Sequence, residues 1–420
     1  MKRLKRFFPL RNPLSYYVKS AFKAVLTLPA IVLAHLIPRS RFRVVAGAWY
    51  GTLYADNPKY FVEWILSNTD ATITWIGNPE VKKRLPLHER LRFARFGSAK
   101  ALWAALRAGS WVFSNHFTSD VAPGFARGRT KCIDVWHGTP LKKVGINMPR
   151  NAGFIPILAL GRMYIRYMDG PYPWLVVAND RTGQILSSGF PNTFSADRTL
   201  TCGSPRNDFL LSNNHNTKLQ KELRHKYSHL LGFDPTKRLV TYLPTHRKEG
   251  VGVFTFYGLS QKDSEQVSDT LENANAVLIE QHHYDTYKAG MPPANSRCST
   301  VVRFEQKIDV DVQELLLITD VLICDYTSAY IDYGLLERPC IHFVYDINEY
   351  RDNDSGLAYD LRQVAAGPIV RTLPELLGTL SELLAHPVFR PAPRFHELIK
   401  YETGHACELL ARFIGLESNK

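Results

Sequence analysis

Nine short apolar, β-prone runs lie between residues 71 and 345, separated by stretches with helical periodicity, and nearly all of them run into polar residues. Strands alternating with helices at this spacing build parallel sheets with crossover helices. The runs are Ala71 to Ile76, Trp111 to Ser114, Cys132 to Trp136, Trp174 to Ala178, Leu200 to Cys202, Leu239 to Leu243, Val277 to Glu280, Val321 to Cys324 and Cys340 to Tyr345. In open α/β sheets ligands bind beyond the carboxyl ends of the strands, so the polar ends mark where chemistry is expected. Two such sheets facing a central cleft would gather these ends into one site.

A chain of 420 residues with 45% hydrophobic residues is long enough for two domains, each with its own core. Fresh strand signal after the polar stretch 212–217 and Gly232 to Lys237 suggests domains at 44–230 and 231–390, with a C-terminal helical tail at 391–420. Six dispersed cysteines show neither a disulfide framework nor zinc-ligand spacing, which suits a reducing compartment. The sequence has no GxxxxGK[ST], GxGxxG, GxSxG or HExxH, which sets aside P-loop NTPases, typical dinucleotide enzymes, α/β-hydrolases and zincins.

The net charge of +13 is local. Residues 1–55 carry ten Lys or Arg and no acid, leaving 42 minus 39, or +3, for the rest. That distribution argues against nucleic acid as a partner and for a terminal anchor. The stretch from Ala21 to Pro38 has an uninterrupted apolar part of about 14 residues, below the ~20 that a spanning helix needs. With Arg39, Arg41 and Arg43 after it, and Phe7, Phe8, Tyr16 and Tyr17 before it, residues 1–43 read as a segment lying on an anionic membrane surface.

Four constellations carry chemistry. His137, at the turn Trp136-His137-Gly138-Thr139-Pro140, is a candidate general base, Gly138 permits close backbone approach, and Lys142 and Lys143 either hold an anion or face solvent. Thr327 and Ser328 follow a strand and open a helix, suiting them to phosphate, although Thr327 serving only as a cap is an equal reading. Asp332 lies one turn deeper on the same face. Pro244-Thr245-His246-Arg247-Lys248 suits a pyrophosphate, and His282 with His283 stand at another strand end. Asp309-Val310-Asp311 has the form of a metal-binding DxD, but Asp311 with Glu314 reads better as a capping box.

With WHGTPLKKVG at 136–145, GSPRND at 203–208, YLPTHR at 242–247 and a long match at 315–360, the sequence resembles the CDP-glycerol glycerophosphotransferase family, which builds the polyol-phosphate chains of teichoic acids and some capsules. The resemblance implies a GT-B-like fold of two Rossmann-type domains and a phosphoryl transfer from CDP-glycerol that releases CMP. It implies His137 as base, with Trp136 to Pro140 lining the site, and donor contacts at Arg206, Pro244, Thr245, Thr327, Ser328 and Asp332. Where the family has a basic residue, one further residue, then His-Pro, this chain reads Glu280-Gln281-His282-His283-Tyr284, and the spacing favours His282 as the second functional histidine. Arg206, His282 and the turn at Thr327 and Ser328 would stabilise charge on the transferred and leaving phosphates. The scheme requires no protein-held metal and is compatible with an added divalent cation such as Mg2+. Acceptors in the family are commonly lipid-linked, which gives the N-terminal segment a purpose. A CDP-ribitol transferase, a GT-B sugar-nucleotide glycosyltransferase and a non-catalytic membrane-attached nucleotide-binding scaffold are the alternatives.

Overall fold

The structure, a computed structural model, describes residues 27–141, 144, 173–191, 193–245, 254–281, 300–303, 310–348, 350 and 356–418. These fall into two compact units. The first takes the described residues up to His137, those from 144 to Arg206, and those from Tyr401 onward; the second takes Gly138 to Leu141 and Asn207 to Lys400.

The first unit is a seven-stranded sheet of β1 (Ser40–Gly47), β2 (Thr72–Gly77), β3 (Leu91–Arg95), β4 (Ala108–Phe113), β5 (Lys131–Asp134), β6 (Trp174–Val177) and β7 (Thr199–Thr201), in the order β3-β2-β1-β4-β5-β6-β7. Every pairing is parallel. Successive residues of β1 serve opposite faces, as a pleated strand requires. Val44 joins Ile73, Trp75 and Ile133 beneath the Asp56–Asn68 and Ala406–Ile414 helices, whereas Val45 joins Trp111, Phe113 and Ala105 of the Ala99–Arg107 helix. Both faces are covered, so the strands read as continuous apolar runs and not as alternating ones.

The second unit repeats the plan with β8 (Arg238–Leu243), β9 (Ala276–Glu280), β10 (Val301–Arg303), β11 (Val321–Cys324), β12 (Cys340–Phe343) and β13 (Ile369–Val370), in the order β10-β9-β8-β11-β12-β13. Its pairings are parallel as well. Leu239, Ile279 and Leu322 face the Thr217–Leu231 and Val312–Ile318 helices; Val240, Leu278 and Ile323 face the Gln261–Asn273 and Leu373–Ala385 helices. In each sheet the order reverses direction once, between β1 and β4 and between β8 and β11. These are the switch points at which the strand ends part and leave room for a ligand.

All nine anticipated strands are present, and the α/β class with two parallel sheets holds. Three boundaries differ. The expected edge at 43/44 falls inside β1, an interior strand at the switch point, because its first half carries Arg41 and Arg43 on exposed positions and resembles a basic flank. Arg39 is likewise part of the unit, since its guanidinium donates to the carbonyls of Ala34, Ala105, Ala108 and Ala126. The units divide at Arg206/Asn207 and not near residue 230, because Leu210, Leu223 and Tyr227 are buried in the second core; the polar stretches at 212–217 and 232–237 are surface turns within one unit. The residues assigned to a single helical tail from 391 are split: Phe395 and Leu398 belong to the second core, while Leu410 and Ile414 complete the first.

Candidate functional site

In the first unit the chain leaves β5 through a tight turn. Asp134 Oδ1 accepts from the Trp136 N–H at 2.8 Å, and Trp136 takes a left-handed backbone (φ 48°) that turns the next residue, His137, sideways. Bulky residues rarely adopt that conformation, and they persist in it where surroundings over-determine it. Trp49, Tyr50 and Asp56 also have positive φ (48°, 58° and 64°), so four of the six such non-glycine residues among the described residues stand around this one turn. Asn57 locks it from behind: its Nδ2 donates to the carbonyls of Val135 (2.9 Å) and Trp136 (3.1 Å), and its Oδ1 accepts from the Arg206 N–H.

The His137 ring lies 4.4 Å from the Trp136 ring in a stacked arrangement and 5.6 Å from that of Trp49. Its Nδ1 is 3.1 Å from the carbonyl of Ser114, just past the end of β4. A carbonyl only accepts, so Nδ1 carries the proton and Nε2 keeps its lone pair. Burial pushes the His137 pKa below its ordinary 6.5; Asp56, the Ser114 bond and Asp120 oppose that shift, and Arg206 adds to it. The ring is therefore neutral at pH 7 and can take a proton at Nε2.

Arg206, expected at a phosphate, donates from Nη1 to Asp56 Oδ1 at 2.6 Å and to the His137 carbonyl at 3.1 Å. Both partners of this ion pair are buried, with side chains 10% and 6% exposed. The arginine charge is thus met by a carboxylate, and its geometry grips the backbone of the histidine turn. Asp56 and Asn57 went unnoticed in the sequence because an Asp-Asn pair at a helix start looks like a cap. Here Asp56 Oδ1 does accept from the neighbouring Asn57 N–H at 2.8 Å, but its Oδ2 accepts from the Trp49 indole N–H at 3.2 Å.

In the second unit the switch point is bridged by Asp325, which is fully buried. Its Oδ1 accepts from the Thr245 N–H (2.8 Å), the Thr245 hydroxyl (2.6 Å) and the Tyr326 N–H. One carboxylate thereby ties the turn after β8, with Pro244 and Thr245, to the turn after β11. Thr327 and Ser328 follow with partly exposed hydroxyls. The Ala329–Gly334 helix behind them has only six residues; Ser328 makes no cap bond, and Thr327 Oγ1 accepts from the Ala329 N–H at 3.4 Å. Asp332, on the buried side, has Oδ1 accepting from Asn207 Nδ2 at 3.0 Å, and Asn207 Oδ1 accepts from Gln313 Nε2 at 2.9 Å. Asn207, another residue the sequence reading passed over, opens the long segment of its unit, Asn207 to Lys400.

Gly138, Thr139 and Pro140 are counted with the second unit; Gly138 has φ 136°, open to glycine alone without strain. His282, His283, Lys142, Lys143, His246, Arg247, Lys248 and Asp309 lie outside the described residues. Asp311 is a cap, as anticipated, accepting from the N–H groups of Gln313 (2.9 Å) and Glu314 (3.3 Å). The second half of the box is absent: Glu314 turns to the Tyr227 hydroxyl at 2.7 Å and to Lys226.

Strand pairing brings together one group that cysteine spacing did not foretell, Cys324, Cys340 and His342, whose donor atoms lie within 4.8 Å of one another. The His342 nitrogens are both engaged, Nδ1 with the Asp325 carbonyl at 3.2 Å and Nε2 with the Ala366 N–H at 3.0 Å. A neutral imidazole with one donor and one acceptor satisfied has no lone pair left for a cation, so the group reads as packing behind Asp325.

A family model described as CDP-Glycerol:Poly(glycerophosphate) glycerophosphotransferase matches residues 33–414. The chain is 27% identical over 343 residues to a teichoic acid glycerol-phosphate transferase of Staphylococcus aureus, covering 80% of this chain and 82% of the relative. It is 25% identical over 420 residues to a teichoic acid poly(glycerol phosphate) polymerase of Bacillus subtilis, covering 97% of this chain and 52% of that longer protein. The fold is similar to the solved structure of the wall teichoic acid polymerase TagF, with a TM-score of 0.67 and 22% identity over 97% of this chain and 98% of that one.

Proposed function

The chain belongs to the CDP-glycerol:poly(glycerophosphate) glycerophosphotransferase family, and from that premise we propose that it moves glycerol phosphate from CDP-glycerol to a hydroxyl of a polymeric, commonly lipid-linked acceptor and releases CMP. The observation that carries this reading is the tautomer of His137, whose Nδ1–H is held by the Ser114 carbonyl. Nε2 takes the acceptor proton, the freed oxygen bonds to the β-phosphorus, and the bond from that phosphorus to the bridging oxygen breaks, so that CMP leaves with both electrons. Thr327 and Ser328 present hydroxyls at a strand end of the second unit for the donor phosphates, Thr245, whose hydroxyl donates to Asp325, shapes the neighbouring strand end that meets the donor, and Asp332 is the acceptor for a donor hydroxyl or ring amine. His282 adds charge stabilisation in this scheme. No protein-held metal is assigned; chelation with EDTA, followed by added Mg2+, reports whether a divalent cation contributes.

Incubation with labelled CDP-glycerol, CDP-ribitol and UDP-sugars, following CMP and UDP, tests the donor: CMP from CDP-glycerol is expected, and UDP release without CMP overturns the reading. His137→Ala should lower turnover roughly 10²–10⁴-fold, the usual contribution of a general base. Full activity in that variant removes the base assignment.

We place the protein peripherally at the cytoplasmic face of the cell membrane. Among the described residues no helix is long and apolar enough to cross a membrane. Supporting surface attachment, Leu28, Val32, Leu33 and Leu36 are 52–72% exposed on the helical stretch 27–36, within the acid-free N-terminal region. Such a face suits an interfacial helix. Replacing these four residues by Ser should abolish co-sedimentation with vesicles containing anionic lipid while leaving CMP release from a soluble acceptor intact. Retained vesicle binding counts against the anchor.

A further inference from the structure

We infer that Asp56 is a positioning residue for the base, setting both the backbone and the ring of His137 through its two carboxylate oxygens. The proposal rests on the reading of His137 as base and names a residue that neither the motifs nor the resemblance singled out. Oδ1 is 2.6 Å from Arg206 Nη1, and the same nitrogen donates to the His137 carbonyl at 3.1 Å. Oδ2 accepts from Trp49 Nε1 at 3.2 Å, and the Trp49 ring lies 5.6 Å from the imidazole. One side chain therefore holds the two groups that flank the histidine. Asp56 reaches them only because its backbone is left-handed, φ 64°, at the start of the Asp56–Asn68 helix. A non-glycine residue held there signals a constraint imposed by the surroundings. The pair is nearly buried on both sides, so removing one partner leaves an uncompensated charge beside the turn.

The charged and polar groups facing His137 are Asp56 and Arg206, Asp120 from the Phe117–Asp120 turn of helix, the Ser114 carbonyl, and the rings of Trp49 and Trp136. Asp56 favours the protonated ring and Arg206 opposes it. Asp56→Asn removes the favourable charge and leaves the unfavourable one, so His137 should hold its proton less tightly.

The experiment compares full-length wild type, Asp56→Asn, Asp56→Glu and His137→Ala, with folding checked by circular dichroism and thermal melting and CMP release followed from pH 5 to 9. For Asp56→Asn we expect kcat to fall tenfold or more through misplacement of the base, KM for CDP-glycerol to change little, and the acid limb of the kcat/KM profile to move down by roughly half a pH unit or more. For Asp56→Glu, which keeps the charge but shifts the oxygens, we expect a lower kcat with the acid limb in place. A wild-type kcat in folded Asp56→Asn, or a loss of activity with an unmoved limb, overturns the proposal. If Asp56→Asn does not fold, Asp56→Glu decides: wild-type kcat, or a limb that moves down, overturns it. His137→Ala separates the two readings, because full activity there removes the base itself, whereas a dead His137→Ala beside wild-type Asp56 variants removes only the role of Asp56.

Discussion

Burial beneath the histidine turn sets two pH dependences of opposite sign. His137 has a folded pKa below 6.5, mainly through desolvation. Activity that needs its neutral form should therefore rise with pH through a midpoint below 6.5, and the folded state loses this contribution to stability as pH falls, because the unfolded chain takes the proton first. Asp134 is the reverse case. It is fully buried, its Oδ1 serves the Trp136 N–H, and burial together with Asp120 lifts its pKa well above 3.8, with only the Trp136 bond opposing. An acid with a raised folded pKa stabilises the protein below its unfolded value, and that contribution is lost as pH rises through the folded value. Asp134→Asn keeps the acceptor for Trp136 and cannot ionise, so its melting temperature at pH 8 should exceed that of wild type, with the gap closing at pH 4. Asp134→Ala, lacking the acceptor, should lose about 1–3 kcal/mol; a denaturant titration of both variants checks the pair.

At the level of elements, the strand ends do the positioning and glycines set how closely they approach. A Cβ at Gly47, the last residue of β1, would stand 2.1 Å from the Asp120 carbonyl oxygen. Asp120 in turn accepts from the N–H groups of Tyr50, Ser114 and Asn115, which holds the turn after β1 against the turn after β4. Gly47→Ala should thus cost at least the roughly 1–3 kcal/mol typical of overpacking and reduce CMP release, since it pushes on Asp120, whose carboxylate accepts from the N–H of Ser114, the residue whose carbonyl fixes the His137 tautomer. A variant as stable as wild type in urea would show that these turns can part without penalty. The second sheet achieves the same juxtaposition by the same means, a carboxylate at Asp325 accepting from both turns.

Across the molecule, the chain returns at its end to the unit in which it began. Tyr401 N–H donates to the Ala178 carbonyl (2.9 Å), Glu402 accepts from the Ser204 N–H (3.0 Å), and Leu410, Ala411 and Ile414 fill the first core. The Gly203 turn, with φ 87°, lies under Tyr401 and Glu402, immediately before the Arg206 that grips His137. Ending the chain at Lys400 removes this cover. Such a protein should expose the first core to limited proteolysis while the second unit, which keeps all its strands, remains protected; equal protection of both would refute the dependence.

Periodicity and the composition of strand ends were enough to determine the α/β class, nine of the thirteen strands among the described residues, and the turns bearing His137, Thr245, Thr327 and Ser328, because these depend on short-range pattern. Strand β1 escaped because its exposed half is basic, and β3, β10 and β13 because they are edge or near-edge strands of two to five residues. The unit boundary at Arg206/Asn207, the pairing of Arg206 with Asp56, the relay from Gln313 through Asn207 to Asp332 and the bridge from Asp325 to Thr245 were decided by tertiary structure alone. Each joins side chains 80 to 150 residues apart, or residues whose local signal is that of an ordinary helix cap or surface turn. Local sequence reports what a residue does to its own backbone; which buried charge it meets depends on strands that pair far away in the chain.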